Sequence, residues 1–159
     1  SFRSVRPMPE DFSARFSAVM REYRYYICTD VAAPLLMEKF CWHLGKPLDV
    51  EAMKQASTHL LGEHDFKSFC GNNKMKKSTV RTIYDITIAE ERGYLRMTFH
   101  GNGFLQNMVR ILTGTLLEVG YGRMHAEDME TVLASRDRQK AGPTAPPHGL
   151  TLLEVEYGV

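Results

Sequence analysis

The sequence predicts an α+β domain with a mainly antiparallel sheet and helices packed on one face. Two segments with the character of strands are joined by only three residues, 91–93, which is short enough to make them antiparallel neighbours. Residues 104–119 follow them with apolar side chains at spacings of three and four, which is typical of a buried helix. Residues 150–157 are predicted as the last strand.

The first predicted strand covers residues 21–29, a run rich in aromatic and branched side chains. Because side chains alternate along a strand, Tyr23 and Tyr25 are expected on one face. Arg24 and Tyr26 are then expected on the opposite face of the sheet.

A helix is predicted for residues 49–61. Asp49 is a good N-cap because its carboxylate can accept hydrogen bonds from the free amides of the first turn. Gly62 favours the end of the helix. The side chains at helical spacing that we expect to be buried are Met53, Ala56, Leu60 and Leu61.

The second half of the chain contains a predicted hairpin of strands 79–90 and 94–100, followed by the helix 104–119. A shorter helix is predicted for residues 127–134. The helix residues that we expect to be buried are Met129, Val132 and Leu133.

Residues 141–149 include three prolines, so they are predicted to form a loop, either ordered or mobile. The residues of the last strand that share one face are predicted to be Leu153, Val155 and Tyr157.

The composition is typical of a globular protein in a reducing compartment. The 159 residues are 43% hydrophobic and 25% charged, and no apolar stretch approaches the roughly 20 residues that cross a bilayer. The three cysteines form no Cys-x-x-Cys pair. We therefore expect reduced thiols, a cytoplasmic location and no association with a membrane.

The net charge of +1 conceals a basic segment. Residues 66–84 contain five basic side chains and no acidic one, so the remaining 15 basic and 19 acidic residues together carry −4. A basic loop beside aromatic residues can hold a phosphate backbone and stack a base. The alternative is a solvated loop that binds no ligand.

Arg110 is the most informative single residue of the sequence. Its neighbours in the predicted helix are mostly apolar, where an unpaired guanidinium costs several kcal/mol in lost hydration. A carboxylate or phosphate partner in a functional site would remove this cost. Two alternatives remain open, which are an acidic partner elsewhere in the chain and a side chain that extends past the apolar stripe to solvent.

The sequence gives little support for a dinucleotide-binding site or a metal site. Gly101, Asn102 and Gly103 lie between a strand and a helix, as in a dinucleotide-binding turn. However, Gln106 occupies the third glycine position, and the preceding strands form a hairpin instead of a parallel unit. The cysteines and histidines lack the spacing of a zinc site, so no metal site is predicted.

Six sequence blocks are spread in order over nearly the whole chain. They are Asp-Phe-Ser-Ala-Arg-Phe-Ser-Ala (11–18), Arg-Glu-Tyr-Arg-Tyr (21–25), Leu-Leu-Gly-Glu-His-Asp-Phe-Lys-Ser-Phe (60–69), Val-Arg-Thr-Ile (80–83), Gly-Asn-Gly-Phe-Leu-Gln-Asn-Met-Val-Arg (101–110) and Ala-Pro-Pro-His-Gly-Leu (145–150). Together these blocks resemble the tRNA pseudouridine synthase A family.

The resemblance implies a pseudouridine synthase-like fold and an RNA-modifying isomerase. Such an enzyme detaches a uracil from its ribose in the anticodon stem-loop of tRNA, at positions 38–40, rotates it and rejoins it through carbon. It is a homodimer and needs no cofactor or metal. The family's nucleophile is an aspartate in an Arg-Thr-Asp-Ala-Gly motif, which this sequence lacks. We therefore expect residues 1–159 to be the C-terminal domain, inactive without an N-terminal domain that carries the aspartate.

The resemblance also implies roles for individual residues. Arg110 corresponds to the catalytic arginine that pairs with the aspartate. Tyr23 corresponds to the catalytic tyrosine that packs against the target base and assists proton transfer, whereas Tyr25 supports the sheet. Leu150 matches a leucine that lines the base pocket. The side chains expected to contact phosphates, by location and charge, are Arg15, Arg24, Lys76, Lys77 and Arg81.

Two other functions are compatible with the same residues. A non-catalytic RNA-binding module would use the sheet and the basic loop without transforming uridine. A protein-interaction domain would show no salt-dependent RNA binding at all.

Overall fold

A computed structural model of the chain describes residues 5, 7–32, 39–91 and 93–158. The strands are β1 (Ala18–Cys28), β2 (Trp42–His43), β3 (Gly62–Asp65), β4 (Val80–Glu91), β5 (Tyr94–Gly101) and β6 (Leu150–Tyr157). The helices are α1 (Val50–Thr58), α2 (Met108–Gly120) and α3 (Asp128–Ser135). Short 3-10 turns cover Lys67–Phe69, Arg138–Lys140 and Pro147–Gly149.

The strands of the described part form one sheet in the order β2-β1-β5-β4-β3, with β6 also paired to β1. The short pairing of β1 with β2 is parallel, and the other pairings are antiparallel. The predicted α+β arrangement with a mainly antiparallel sheet is therefore confirmed.

One face of the sheet packs against the helices. Tyr25 and Ile27 of β1 join Met97 and Phe99 of β5 and residues of all three helices in a single apolar core. The opposite face is polar, with Glu22 and Arg24 of β1 beside Thr98 and His100 of β5. The alternation predicted for β1 is confirmed, because Tyr25 is buried in the core and Arg24 lies on the polar face.

Two strands were not predicted from the sequence. β2 has two residues and β3 has four, which is too short for an alternating pattern to be distinguished. Both owe their extended conformation to pairing with longer strands, β2 with β1 and β3 with β4. Arg92, in the predicted hairpin connection, lies outside the described residues.

The helices begin and end differently from the predictions. Asp49 caps α1 as expected, since its Oδ1 accepts a hydrogen bond of 3.0 Å from the amide of Ala52. However, α1 ends at Thr58, so Leu61 lies beyond the helix and is 38% exposed, and its predicted burial is wrong. α2 begins at Met108 instead of residue 104, because Asn107 adopts a left-handed conformation with φ of 58°.

The alternation predicted for β6 breaks at Leu153. Leu152 pairs with Tyr23 and Glu154 pairs with Glu22, so that Leu153 is an extra residue in a β-bulge. Leu153 is 48% exposed, whereas Val155 and Tyr157 are half-buried. The prediction that Leu153 shares their face is therefore wrong, because the bulge interrupts the period of two.

Two further observations on the described residues concern membrane-spanning helices and the cysteines. None of the helices found there has both the length and the hydropathy to span a bilayer. Cys28, Cys41 and Cys70 are all buried.

Candidate active site

Arg110 projects from the first turn of α2 and is half-buried. Its Nε donates a hydrogen bond of 2.6 Å to the carbonyl oxygen of Ala145. Its Nη1 donates one of 3.0 Å to Oδ1 of Asn107. Within the described residues both partners are uncharged, and no ion pair with an acidic side chain occurs. Three of the five N–H groups of the guanidinium therefore remain for a further acceptor.

The loop 141–149 packs against α2. The amide of Ala145 donates to the carbonyl of Arg110 over 3.1 Å, and the amide of Gly142 donates to Oγ1 of Thr115 over 2.9 Å. Gly114 permits this approach, since a Cβ there would overlap the carbonyl oxygen of Pro143. The loop thus supplies Arg110 with a fixed acceptor.

Tyr25 holds the same loop from the sheet. Its Oη donates a hydrogen bond of 2.7 Å to the carbonyl of Pro146, next to the carbonyl that binds Arg110. Burial raises the pKa of Tyr25, and the nearby positive charge of Arg110 opposes the rise. Leu150, at the end of the loop, pairs with Tyr25 across the sheet. Arg110, Tyr25 and Leu150 therefore meet at one place.

Tyr23 lies on the same face of β1 as Tyr25, about 7 Å further along the strand by the ordinary rise of 3.3 Å per residue. It is half-buried, and its ring packs edge-to-face on Phe104, with ring centres 5.3 Å apart. Tyr23 therefore lies on the face of β1 that also carries Tyr25, beside Phe104.

A basic cleft of about 380 Å³ is lined in part by Phe104. Its basic side chains are Arg15, Lys74, Lys76, Lys77 and Arg81, and no acidic residue is among the described residues that line it. Burial lowers the pKa of Arg81, and the nearby charge of Arg21 adds to the shift. Because Phe104 lines this cleft and also packs on Tyr23, the two regions are contiguous.

Phe16 is an exposed aromatic residue beside this cleft that the sequence did not single out. It is 72% exposed, and its ring centre lies 5.4 Å from the guanidinium carbon of Arg15 and 5.6 Å from Nζ of Lys77. Both distances are within the range of cation–π contacts. A single aromatic side chain in a turn gives no periodic signal from which this placement could be predicted.

Arg24 is not brought together with the other predicted phosphate contacts. Its Nε lies 2.8 Å from Oε1 of Glu22 on the polar face of the sheet. Glu22 also contacts Nε2 of His100 at 3.0 Å. Although burial opposes it, these contacts keep the pKa of Glu22 below its ordinary value, so Arg24 has a carboxylate partner of its own.

The part of the chain that the structure describes contains no candidate metal site. Within that part, no three or more His, Cys, Asp or Glu side chains are grouped so as to hold an ion.

Comparison with known proteins identifies the family. Residues 56–158 match the family model described as tRNA pseudouridine synthase. The chain belongs to the tRNA pseudouridine synthase family. The resemblance seen in the six sequence blocks is therefore confirmed. The roles assigned to individual residues stay predictions.

Relatives named tRNA pseudouridine synthase A align over nearly the whole chain. The one from Listeria monocytogenes serotype 4b (strain CLIP80459) is 48% identical over 159 residues, which cover 99% of this chain and 64% of the relative. The one from Halalkalibacterium halodurans is 48% identical over 90% of this chain and 54% of the relative. The one from Thermoanaerobacter sp. (strain X514) is 41% identical over 96% and 63%. The chain thus spans less than two thirds of the length of these synthases.

Proposed function

We propose that this chain is the C-terminal part of a tRNA pseudouridine synthase that acts on the anticodon stem-loop at positions 38–40. The observation that carries the proposal is the setting of Arg110, whose two hydrogen bonds are to uncharged oxygens. A half-buried guanidinium with free N–H groups is suited to bind a carboxylate in a bidentate manner. We infer that this carboxylate belongs to an aspartate in an N-terminal domain, in keeping with the extra length of the relatives.

The proposed chemistry moves a uracil on its own ribose. The aspartate attacks the target nucleoside, and the bond between C1′ and N1 breaks with its electron pair leaving on the uracil. The base rotates and C5 bonds to C1′, and the bond between the aspartate and the nucleoside breaks, which regenerates the carboxylate. N1 gains a proton and C5 loses one. No oxidant or reductant is needed, and atoms balance between uridine and pseudouridine.

The residues of this chain would assist that chemistry in three ways. Arg110 keeps the aspartate ionised and oriented, because its positive charge favours the carboxylate form. Tyr23 packs on the base and assists the proton transfer from C5. Leu150 closes the apolar side of the base pocket beside Tyr25.

The RNA backbone is proposed to lie in the basic cleft. Four of the five predicted phosphate contacts, Arg15, Lys76, Lys77 and Arg81, line this cleft together. Since acidic side chains do not neutralise them in the described lining, they are free to replace counterions on phosphates. The contact through Phe104 would then place a nucleotide next to Tyr23.

The activity can be tested with the full-length polypeptide, by which we mean this chain preceded by an N-terminal domain that contains the Arg-Thr-Asp-Ala-Gly motif. We expect it to form pseudouridine in a tRNA transcript with uridine at positions 38–40, measured by tritium release from [5-³H]uridine. A transcript with cytidine at these positions is the control. Equal tritium release from other uridines of the control transcript would reject the proposed target.

The cleft can be tested through the salt dependence of tRNA binding. Lys76→Ala and Lys77→Ala, each in the full-length polypeptide, are expected to lower the slope of log K against log salt by about 1. Lys54→Ala is a matched control, since Lys54 is an exposed lysine of α1 that pairs with Glu51 at 2.7 Å outside the cleft. An unchanged slope in both cleft variants would remove the cleft from the RNA interface. Binding without any formation of pseudouridine would favour the non-catalytic module.

We also propose that the full-length enzyme is a cytoplasmic homodimer, as the family resemblance implies. Sedimentation of the full-length polypeptide would show twice the mass of one chain. A monomer at micromolar concentration would reject this part of the proposal.

A further inference from the structure

Asn107 has a backbone conformation that is unusual for its position. It precedes α2 with φ of 58° and ψ of 9°, the left-handed region that favours glycine. An asparagine at this position ordinarily caps the helix with its side chain, but Asn107 makes no such bond. Its side-chain oxygen instead accepts a hydrogen bond from Nη1 of Arg110. The side chain therefore serves Arg110 and not the helix end.

The turn that contains Asn107 lies close to Gly71. The amide of Gly71 donates a hydrogen bond of 2.8 Å to the carbonyl of Gln106. A Cβ on Gly71 would lie 2.9 Å from Nδ2 of Asn107 and 3.2 Å from its Cβ. Residues 71 and 107 thus pack closely, and the amide oxygen of Asn107 bonds to Arg110.

The guanidinium of Arg110 is fixed from two separate parts of the chain. Asn107, in the turn before α2, accepts from Nη1, and Ala145, in the loop before β6, accepts from Nε. With two of its nitrogens bonded, the guanidinium plane cannot rotate without breaking a hydrogen bond. The N–H groups that remain then face a defined direction.

We propose that Asn107 is a positioning residue that orients Arg110 toward the catalytic carboxylate. This inference rests on the proposed function, because it assigns a purpose to the orientation of Arg110. Asn107 would act through its hydrogen bond to Arg110. A bidentate pair depends on the alignment of two parallel hydrogen bonds, so a guanidinium that is free to turn binds the carboxylate less effectively.

The variant Asn107→Gly separates this role from a structural one. Glycine adopts the left-handed region without strain, so Tm is expected to be unchanged or raised. The acceptor for Nη1 is lost, and we expect kcat of the full-length polypeptide to fall between about tenfold and a hundredfold. KM for tRNA is expected to stay within about threefold, because the basic cleft is untouched.

Arg136→Gly is the matched control for the backbone effect. Arg136 is the other non-glycine residue with positive φ in the described part, at 52°, and its Nε pairs with Asp65 instead of contacting Arg110. We expect its kcat to be unchanged. A kcat of Asn107→Gly within twofold of the unmodified enzyme would overturn the inference, as would a loss of kcat that is matched by a loss of Tm.

Activity measurements on Arg110→Ala and Asn107→Gly separate the role of Asn107 from that of Arg110. If Arg110→Ala abolishes activity and Asn107→Gly does not lower it, only the positioning role is rejected. If Arg110→Ala retains full activity, the role of Arg110 itself is rejected, and the positioning role fails with it.

Discussion

Arg110→Ala in the full-length polypeptide is expected to lower the single-turnover rate of pseudouridine formation by between about a hundredfold and a few thousandfold. Removing one partner of a buried ion pair costs about 3–5 kcal/mol, because the other charge stays buried and unpaired. Arg110 is half-buried in this chain, and the N-terminal domain and bound tRNA would complete its burial. The loss is expected at the chemical step, since the proposed partner is the reacting carboxylate. The Kd for tRNA should stay within about tenfold, because the basic side chains of the cleft remain.

Two variants complete this experiment. Arg110→Lys keeps the positive charge but cannot form two parallel hydrogen bonds, so we expect it to recover only part of the rate. Lys77→Ala, in the cleft, should show the opposite pattern, with weaker binding of tRNA and an unchanged rate once tRNA is saturating. An Arg110→Ala enzyme with the unmodified rate would remove Arg110 from the catalytic site.

Much of the fold could be predicted because its long elements carry their pattern locally. The hairpin of β4 and β5 and the buried stripe of α2 follow from alternation and from spacings of three and four. β2, β3 and the bulge at Leu153 depend on pairing with distant strands, which no local pattern contains. Tertiary pairing, not local propensity, decides these parts.

Some residues of the candidate site could likewise be predicted from the sequence, and others could not. Arg110 could be found because a charge on an apolar helix needs a partner, and the chemistry of that partner follows from the guanidinium. Arg24 could have been separated from the other cations, since alternation already places it opposite Tyr23 on β1. Phe104 and Asn107 could not be assigned, because their roles depend on contacts with residues far away in the sequence.

The isolated chain is expected to form no pseudouridine, although it contains Arg110, Tyr23 and the basic cleft. The expectation follows from the sequence, which has no Arg-Thr-Asp-Ala-Gly motif, and from the proposed chemistry, in which that aspartate is the nucleophile. Without the nucleophile, the bond between C1′ and N1 has no attacking group. The effect is therefore a complete loss and not a reduction in rate.

We propose that this chain supplies the arginine and the RNA cleft to a carboxylate from another domain. The most direct test of this proposal is to measure tritium release from [5-³H]uridine-labelled tRNA by the isolated chain and by the full-length polypeptide at equal concentration. We expect release by the full-length polypeptide alone, and none when its motif aspartate is replaced by alanine. Release by the isolated chain would contradict the proposal, because the nucleophile would then lie within these 159 residues.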